Sequence, residues 1–467
     1  MNLYVYLKRE EERTVRRRMG ILVLALTLLL TGCSGLSAEE LYRLPEASED
    51  YYDLQAALNG VLAQGYSYTA PASGARQEPV QLVDLNGDGV DEAVVFFRSE
   101  ESGAVSLFIF TKENDVYTAL PVEGAGTGVA SVDYADLDGL SGQEIVVTYQ
   151  VSETVTQALQ VYRCVWDGEL AVETILTGSC SRYGLWDLDG DGLPELFCLT
   201  SSGSESPAVV EYYDGAAGRL RTSLDQRLSF PYENLRRLQM AELSDGTRAV
   251  LASGAAGDGS LVTDLFLDQD GTLQPLELEK DVNRGMSADY AYPVDVNGDG
   301  AVEFPRVEQL PAQVIDSTLP SVVRWYSVDS QGRCESQLVT YASGPGDWYL
   351  TFPETWDGAV TAREQERSAT VRTVDFYHIL TENLAKLDLS DEETAQRILT
   401  VYTLRGTGRQ AYVEEHGLSI LWSDSDVIYA VDLSDSAHAW EGTITMAQVT
   451  EMFHLQGNNN GNKEGST

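Results

Sequence analysis

Hydrophobic residues in this chain occur mostly in short runs that are separated by turn residues. Before residue 121 the runs are Pro79–Leu85, Ala93–Phe97, Ala104–Phe110 and Val116–Leu120. Each run has the length of a β-strand, and Gly, Asp, Asn and Ser residues stand between them. The pattern therefore predicts a group of four short strands, and similar groups follow along the chain.

A few segments have helical spacing instead. The first, Tyr51–Gln64, carries apolar side chains on one face at Tyr51, Leu54, Leu58 and Val61. Gly65 follows it as a helix stop, so we predict an N-terminal helix that packs on the β-structure. We also predict helical insertions near Leu380–Leu387 and Asp391–Leu399, and a short helix at Thr445–Phe453 that ends the fold.

The loop between the first two runs, residues 84–92, is rich in side-chain oxygens. Asp84, Asn86, Asp88 and Glu92 stand at its positions 1, 3, 5 and 9, with glycines at positions 4 and 6. Glycine suits the tight turns that such a loop needs. Alternate side chains then converge on one point, and the late acid closes the shell around a hard cation. This loop is therefore a predicted cation site.

The loop recurs along the chain. Residues 187–195 and 295–303 are full copies, and residues 136–144 are a weaker copy with Leu140 at position 5. The first Asp residues of the copies are separated by 52, 51 and 108 positions, so the last gap spans two periods. A copy that has lost its ligands fills that gap near Glu242. A period of roughly 40–50 residues filled with short strands is typical of propeller blades.

The D-x-[DN]-G-D-G-x-x-[DE] loop followed by an apolar strand resembles the FG-GAP, or VCBS-type, repeat of integrin-like β-propellers. The resemblance extends from residue 79 to about residue 305. It implies that each loop joins the first two strands of a blade and binds Ca²⁺, at about three sites in all. An EF-hand is the alternative for a single loop, but it needs flanking helices and a Glu at position 12.

The resemblance also implies the ligands, with the residue at position 7 contributing its backbone carbonyl. The family often closes the loop with Asp, whereas every copy here ends with Glu. The implied ligands are Asp84, Asn86, Asp88, Val90 and Glu92, then Asp187, Asp189, Asp191, Leu193 and Glu195, then Asp295, Asn297, Asp299, Ala301 and Glu303. The second loop would supply a weak set or remain empty, with Asp136, Asp138 and Glu144.

These patterns predict an all-β fold, a β-propeller of about six four-stranded blades. Residues 79–344 would form blades one to five, and residues 345–455 a sixth blade with helical insertions. The predicted strands of the sixth unit are Trp348–Phe352, Thr370–Tyr377, Ile398–Leu404 and runs within Ser419–Leu433. The alternatives are seven blades, or five blades plus a small C-terminal α/β domain. Residues 456–467 are a polar, Asn/Gly-rich tail that we predict to be disordered.

The N-terminus has the features of an export signal. A basic stretch precedes the apolar run Ile21–Leu30, which is too short for a mature membrane helix. Leu30-Thr31-Gly32-Cys33 resembles the lipobox of bacterial lipoproteins, which implies that residues 1–32 are cleaved and that Cys33 is acylated. Residues 33–78 would then be a tether followed by the N-terminal helix. The prediction is a lipid-anchored protein on the extracytoplasmic face of the cell membrane; the alternative is an ordinary secretion signal with an incidental cysteine.

Charge and cysteine content restrict the partners and the chemistry. The chain has a net charge of −42, and acidity of this size argues against nucleic acid as a partner. The cysteines form no C-x-x-C pair, so zinc and thioredoxin chemistry have no support. Cys164, Cys180 and Cys198 fall in neighbouring β-runs, which leaves one disulfide or buried free thiols open.

The sequence contains no G-x-S-x-G elbow and no phosphate-binding G-x-x-x-x-G-K-[ST] motif. The acidic loops are its clearest chemical feature, and we expect them to be structural. We therefore predict a non-enzymatic binding or adhesion module for a protein or a cell-wall glycan, anchored to the bilayer through Cys33. One alternative is a polysaccharide hydrolase or lyase that uses the propeller channel, and another is a structural component of an envelope complex.

Overall fold

The structure is a computed structural model that describes residues 49–113, 116–151, 156–201, 203, 205–216, 219–285, 292–312, 320–343, 347–434 and 440–455. The chain divides into two compact units, one of residues 1–64 with 112–118 and one of residues 65–111 with 119–467. The predicted signal peptide, the lipidation at Cys33 and the tail from residue 456 lie outside the described residues.

The predicted N-terminal helix is present. Helix α1 spans Glu49–Leu62, so it begins and ends two residues earlier than Tyr51–Gln64. Three residues of its predicted apolar face, Leu54, Leu58 and Val61, are buried. Gly65 follows with φ of 87°, the left-handed conformation that glycine adopts without strain after a helix.

The described strands form six antiparallel sheets, as the period predicted. In the first sheet, β1 and β2 pair with successive halves of one edge of β3, so together they occupy the place of a single strand. The sheet contains β1 (Tyr66–Tyr68), β2 (Val80–Val83), β3 (Glu92–Ser99), β4 (Val105–Glu113) and β5 (Val116–Glu123).

The second, third and fourth sheets repeat this arrangement in chain order. The second contains β6 (Gly128–Ala135), β7 (Glu144–Gln150), β8 (Gln157–Trp166) and β9 (Leu170–Cys180). The third contains β10 (Arg182–Trp186), β11 (Glu195–Thr200), β12 (Pro207–Ala216) and β13 (Arg219–Pro231), and the 3₁₀ turn Tyr232–Asn234 follows. The fourth contains β14 (Leu235–Glu242), β15 (Arg248–Ala255), β16 (Leu261–Asp268), β17 (Leu273–Pro275) and β18 (Arg284–Gly285).

The last two sheets lie between residues 303 and 455. The fifth begins with β19 (Glu303–Gln309), β20 (Ser321–Val328), β21 (Cys334–Ser343) and β22 (Trp348–Phe352). The sixth contains β23 (Val360–Ser368), β24 (Val371–Ile379), β25 (Ala395–Arg405), β26 (Ser419–Ser423) and β27 (Val427–Leu433). The chain then forms β28 (Phe453–Leu455), which pairs with β22 and so belongs to the fifth sheet. The remaining helical elements are the 3₁₀ turns Glu354–Trp356 and Leu384–Lys386, α2 (Arg409–His416) and α3 (Met446–Met452).

The predicted composition of the sixth unit was wrong in one strand. Strand β22 pairs with β21 of the fifth sheet, with Trp348 opposite Ser343, and not with any strand of the sixth. The first strand of the sixth sheet is β23, which the sequence pattern missed because its second half is charged and exposed. Only its first three residues, from Val360 to Ala362, are buried.

Two helical predictions were also incomplete. The prediction of a helix near Asp391–Leu399 is wrong, because β25 already begins at Ala395. Ile398 and Leu399 are buried in the sheet. The C-terminal helix is confirmed as α3, with Thr445 and Gln448 forming a capping box at its start. It does not end the fold, since β28 follows it directly.

Apolar clusters join each sheet to the next. Ile145 and Val147 of β7 pack toward the first sheet, whereas Val146 between them packs toward the third. Further clusters join the third sheet to the fourth, the fourth to the fifth and the fifth to the sixth. A strand that is buried on both faces reads as a continuous apolar run, which explains why β7 lacks a polar–apolar alternation.

Candidate metal centres

The acidic loops occupy equivalent places in the fold. Residues 84–92, 136–144 and 187–195 each connect the first strand position of a sheet to the next strand, β3, β7 or β11. Residues 295–303 lead into β19 in the same way, and Val294 bridges Glu303 across that loop. The repeat in the sequence is therefore a repeat in the structure.

The first Asp of a loop organises its backbone. One Asp84 carboxylate oxygen accepts the N–H groups of Gly87 and Asp88 at 2.7 and 3.2 Å, and the other accepts that of Gly89 at 2.8 Å. Asp295 repeats this pattern with its own loop. The hydrogen bond from Gly89 is the largest cause that lowers the pKa of Asp84. Gly87 and Gly89 have φ of 78° and 86°, which explains the glycines at positions 4 and 6.

The closing Glu turns back beneath the loop in all four copies. Its carboxylate accepts the N–H of the residue at position 2, at 2.6 Å from Leu188 to Glu195. The equivalent distances are 2.9 Å for Glu92, 2.7 Å for Glu144 and 3.0 Å for Glu303. Each of these side chains is buried, with at most 6% of its surface exposed. The Glu at position 9 therefore has a defined geometric role in each loop.

The third loop brings its predicted carboxylates together. Asp187, Asp189, Asp191 and Glu195 each offer an oxygen, and these oxygens lie within 4.8 Å of one another. Burial is the largest cause that raises the pKa of Glu195 to about 8, and repulsion from the neighbouring Asp residues contributes to the same rise. Four carboxylates with oxygens this close together suit a hard divalent cation.

In the loops 84–92 and 295–303, the side-chain amide of the position-3 Asn donates hydrogen bonds to acids of the same loop. The Asn86 side-chain nitrogen donates to Asp88 at 3.1 Å, and that of Asn297 donates to Asp299 at 2.8 Å and to Glu303 at 3.2 Å. The amide nitrogen of Asn297 therefore contacts two carboxylates, and that of Asn86 contacts one. For Asn86 or Asn297 to become a ligand, its side chain must turn its oxygen toward them.

The position-7 residues are held by their amides. The N–H groups of Val90, Leu193 and Ala301 each donate to the Asp at position 5, at 2.8–2.9 Å. That contact fixes the turn, and the role of their carbonyls as ligands stays a prediction.

The ligand-less fourth unit is confirmed as a short turn between β14 and β15. In the strand register, Arg248 lies opposite Glu242. This is the position at which Glu195 lies opposite Trp186 in the third sheet. An Arg thus replaces the closing Glu. Its guanidinium reaches the previous loop, where Nη1 lies 2.8 Å from Asp187 Oδ2 and 2.7 Å from the Asp187 carbonyl.

The loop motif does not identify two arginines that contact the loops. Arg163 contacts the second loop, and Arg248 contacts the third. The motif describes only the loop, and both arginines come from strands elsewhere in the sheets. The available signal was a basic residue in an apolar strand of a chain with 31 basic and 73 acidic residues. Strand register was needed to place either one.

The cysteines outside the signal region are free thiols. In the described part of the chain, four cysteines are buried and form no disulfide: Cys164, Cys180, Cys198 and Cys334. Of the two alternatives left open by the sequence, the structure therefore has buried free thiols. Burial raises the pKa of Cys164 to about 12, which makes it unreactive at neutral pH. His416 is the last residue of α2 and is remote in sequence from the acidic loops.

Comparison with known proteins identifies no family for this chain. No protein-family model matches it, and no curated protein matches it. Among solved structures, it is similar to a putative 6-phosphogluconolactonase from Bacteroides fragilis NCTC 9343, at 13% identity and a TM-score of 0.20, over 71% of this chain and 93% of that one. In the part of the chain that the structure describes, no helix is long and apolar enough to cross a membrane.

The raised pKa of Glu195 predicts an unusual pH dependence without metal. The folded protein keeps this proton up to about pH 8, whereas the unfolded chain loses it near 4.5. The neutral Glu195 carboxyl therefore stabilises the fold fully below about pH 4.5. That stabilisation disappears as the pH rises through about 8. In excess chelator, the melting temperature should therefore fall as the pH rises from about 5 to about 8.5.

Glu195→Gln keeps the shape and the acceptor for the Leu188 N–H, so it should flatten this fall. Glu169→Gln, at an exposed position between β8 and β9, is the control and should leave the slope unchanged. Identical slopes for both variants would contradict the assignment to Glu195.

Proposed function

We propose that this chain is a calcium-stabilised β-propeller of the FG-GAP type that acts as a non-enzymatic binding module. The observation that carries the proposal is the convergence of Asp187, Asp189, Asp191 and Glu195 within 4.8 Å of one another on a loop that recurs from sheet to sheet. Calcium takes six to eight oxygen ligands in flexible geometry, which suits such a loop. Bound at the loops, it would neutralise the carboxylates and stabilise the turns on which neighbouring sheets pack.

The module would be held at the extracytoplasmic face of a bacterial membrane by lipid on Cys33. The lipobox-like sequence before that residue supports this part of the proposal. Several acyl chains on one cysteine make a stable anchor, where one chain is marginal.

For the partner, an aromatic cleft favours a glycan over a protein. The cleft has a volume of about 300 Å³ and lies where β22 and β28 of the fifth sheet meet β26 of the sixth. Tyr349 and His454 stack there with ring centroids 4.8 Å apart, and Trp422 lines the same cleft. Partly exposed aromatic rings offer flat apolar faces with polar edges, which match the two sides of a sugar ring. The remaining lining residues are Leu421, Thr450, Phe453 and Leu455.

Trp422→Ala should weaken binding to isolated cell-wall glycan by about tenfold, a loss of ~1.4 kcal/mol. Co-sedimentation of the purified protein with the glycan measures the affinity. Ile420→Ala is the matched control, because Ile420 lies on the same strand, is 45% exposed and does not line the cleft. Equal affinities for both variants would remove the cleft from the proposal, and turnover of the glycan by the unmodified protein would favour the hydrolase or lyase alternative.

A further inference from the structure

We propose that Arg163 is a built-in cation that takes the place of the metal ion in the second loop, so that residues 136–144 fold without metal. The inference rests on the proposed calcium function of the other loops. It separates the second loop, whose acids contact a mostly buried guanidinium, from the third loop, where the more exposed Arg248 contacts Asp187.

The guanidinium group of Arg163 lies beside two acids of the second loop. Arg163 lies on β8, and its Nη2 donates a hydrogen bond to Asp138. Its Nε is 3.8 Å from a carboxylate oxygen of Glu144, and its Nη1 is 3.8 Å from one of Glu173. The guanidinium thus contacts two of the three acids of the second loop. The oxygens of those acids lie within 4.8 Å of one another, together with that of Asp136.

Arg163 and the two acids that it contacts in the second loop are shielded from solvent. The side chain of Asp138 is completely buried, that of Glu144 is 5% exposed and that of Arg163 is 15% exposed. Buried carboxylates need a partner charge, and here the partner is a side chain of the same sheet. A divalent ion that entered this loop would meet the guanidinium at close range and be repelled. Leu140, at position 5, also offers no side-chain oxygen to such an ion.

The residue beside the closing Glu differs from sheet to sheet. In the fifth sheet, the closing Glu303 lies opposite Ser327. In the first three sheets, the strand register can be extended by one residue from its last pair to the closing Glu. It then places Thr111 beside Glu92, Arg163 beside Glu144 and Asp214 beside Glu195. Only the second of these four positions holds a cation. The residue next to the closing Glu therefore separates the second loop from the other three.

The test is a set of variants that separates the arginine from the missing oxygen. Leu140→Asp restores the position-5 oxygen but keeps Arg163, Arg163→Gln removes the charge, and the double variant does both. Bound calcium is counted after dialysis of each purified full-length protein. We expect the double variant to bind one ion more than the unmodified protein and Leu140→Asp alone to bind the same number. An extra ion in Leu140→Asp alone, or none in the double variant, would overturn the proposal.

A metal-independent measurement keeps the test valid if a variant folds poorly. In excess chelator, Arg163→Gln should lower the melting temperature by several degrees, since it leaves Asp138 buried without its partner. Arg163→Lys should recover much of that loss. Arg284→Gln is the matched control: its pair with Asp258 is exposed, so the melting temperature should barely change. If Arg163→Gln melts like Arg284→Gln, Arg163 is not the internal cation.

The two proposals fail in different ways. If the unmodified protein binds no calcium, the proposed function is wrong, while the chelator series still tests Arg163. If it binds calcium but the double variant gains no ion, the proposed function stands and the role of Arg163 is wrong.

Discussion

Replacing Gly215 by alanine will strongly destabilise this protein. A Cβ at this position would lie 1.5 Å from the carbonyl oxygen of Leu137 and 2.6 Å from its carbonyl carbon. Those atoms belong to backbone, so they cannot move aside as a flexible side chain would. Gly215 is on β12 of the third sheet and Leu137 is at position 2 of the second loop, so the close approach holds one sheet's loop on the next sheet. The cost should be about 3 kcal/mol or more, at the upper end of what overpacking causes.

Chemical denaturation of Gly215→Ala and of Gly257→Ala measures this cost. Gly257 is the matched control, because a Cβ there would meet no atom within 4 Å. We expect Gly257→Ala to stay within about 0.5 kcal/mol of the unmodified protein. Equal stabilities of the two variants would mean that the sheets do not pack at Leu137 as described.

Changing Asp189 to asparagine will have opposite effects with and without calcium. Asp189 is one of four carboxylates that crowd the third loop, and burial and its acidic neighbours raise its pKa. With metal absent, removing one charge relieves repulsion, so the variant should be as stable as the unmodified protein or more stable. With calcium present, it should lose most of the stabilisation at this loop. For an ion at 100 times its Kd, that stabilisation is about 2.7 kcal/mol.

Unfolding free energies with calcium and with chelator, for Asp189→Asn and for Asp258→Asn, provide the measurement. Asp258→Asn removes one carboxylate charge from a turn outside the acidic loops, where Asp258 pairs with Arg284. The control should shift equally in both conditions. A loss for Asp189→Asn that is equal with and without calcium would show that Asp189 supports the turn and not an ion.

Much of the fold could be predicted from sequence because its local signals agree with its packing. Runs such as that of β7 are apolar throughout, since neighbouring sheets cover both faces. The period located the fourth unit although its ligands are gone. Strand pairing could not be predicted in the same way: β22 is an ordinary apolar run, and only its partner β21 assigns it to the fifth sheet. Strand β23 was missed because its exposed half is charged.

The loops themselves were predictable for a related reason. Their glycines and carboxylates are close in sequence, so spacing alone specifies the turn, the Asp at position 1 and the buried Glu at position 9. Arg163 and Arg248 were not predictable, because their contacts depend on strand register and on the neighbouring sheet. The orientation of Asn86 and Asn297 also depends on the hydrogen bonds of the folded loop.

We propose above that the acidic loops are calcium sites that stabilise the fold. The most direct measurement is a count of bound calcium in the purified protein, together with its melting temperature in calcium and in excess chelator. We predict one ion for each of the loops 84–92, 187–195 and 295–303, and a clearly higher melting temperature in calcium. No bound calcium and an unchanged melting temperature would contradict the account, because the loops would then be turns without a metal function.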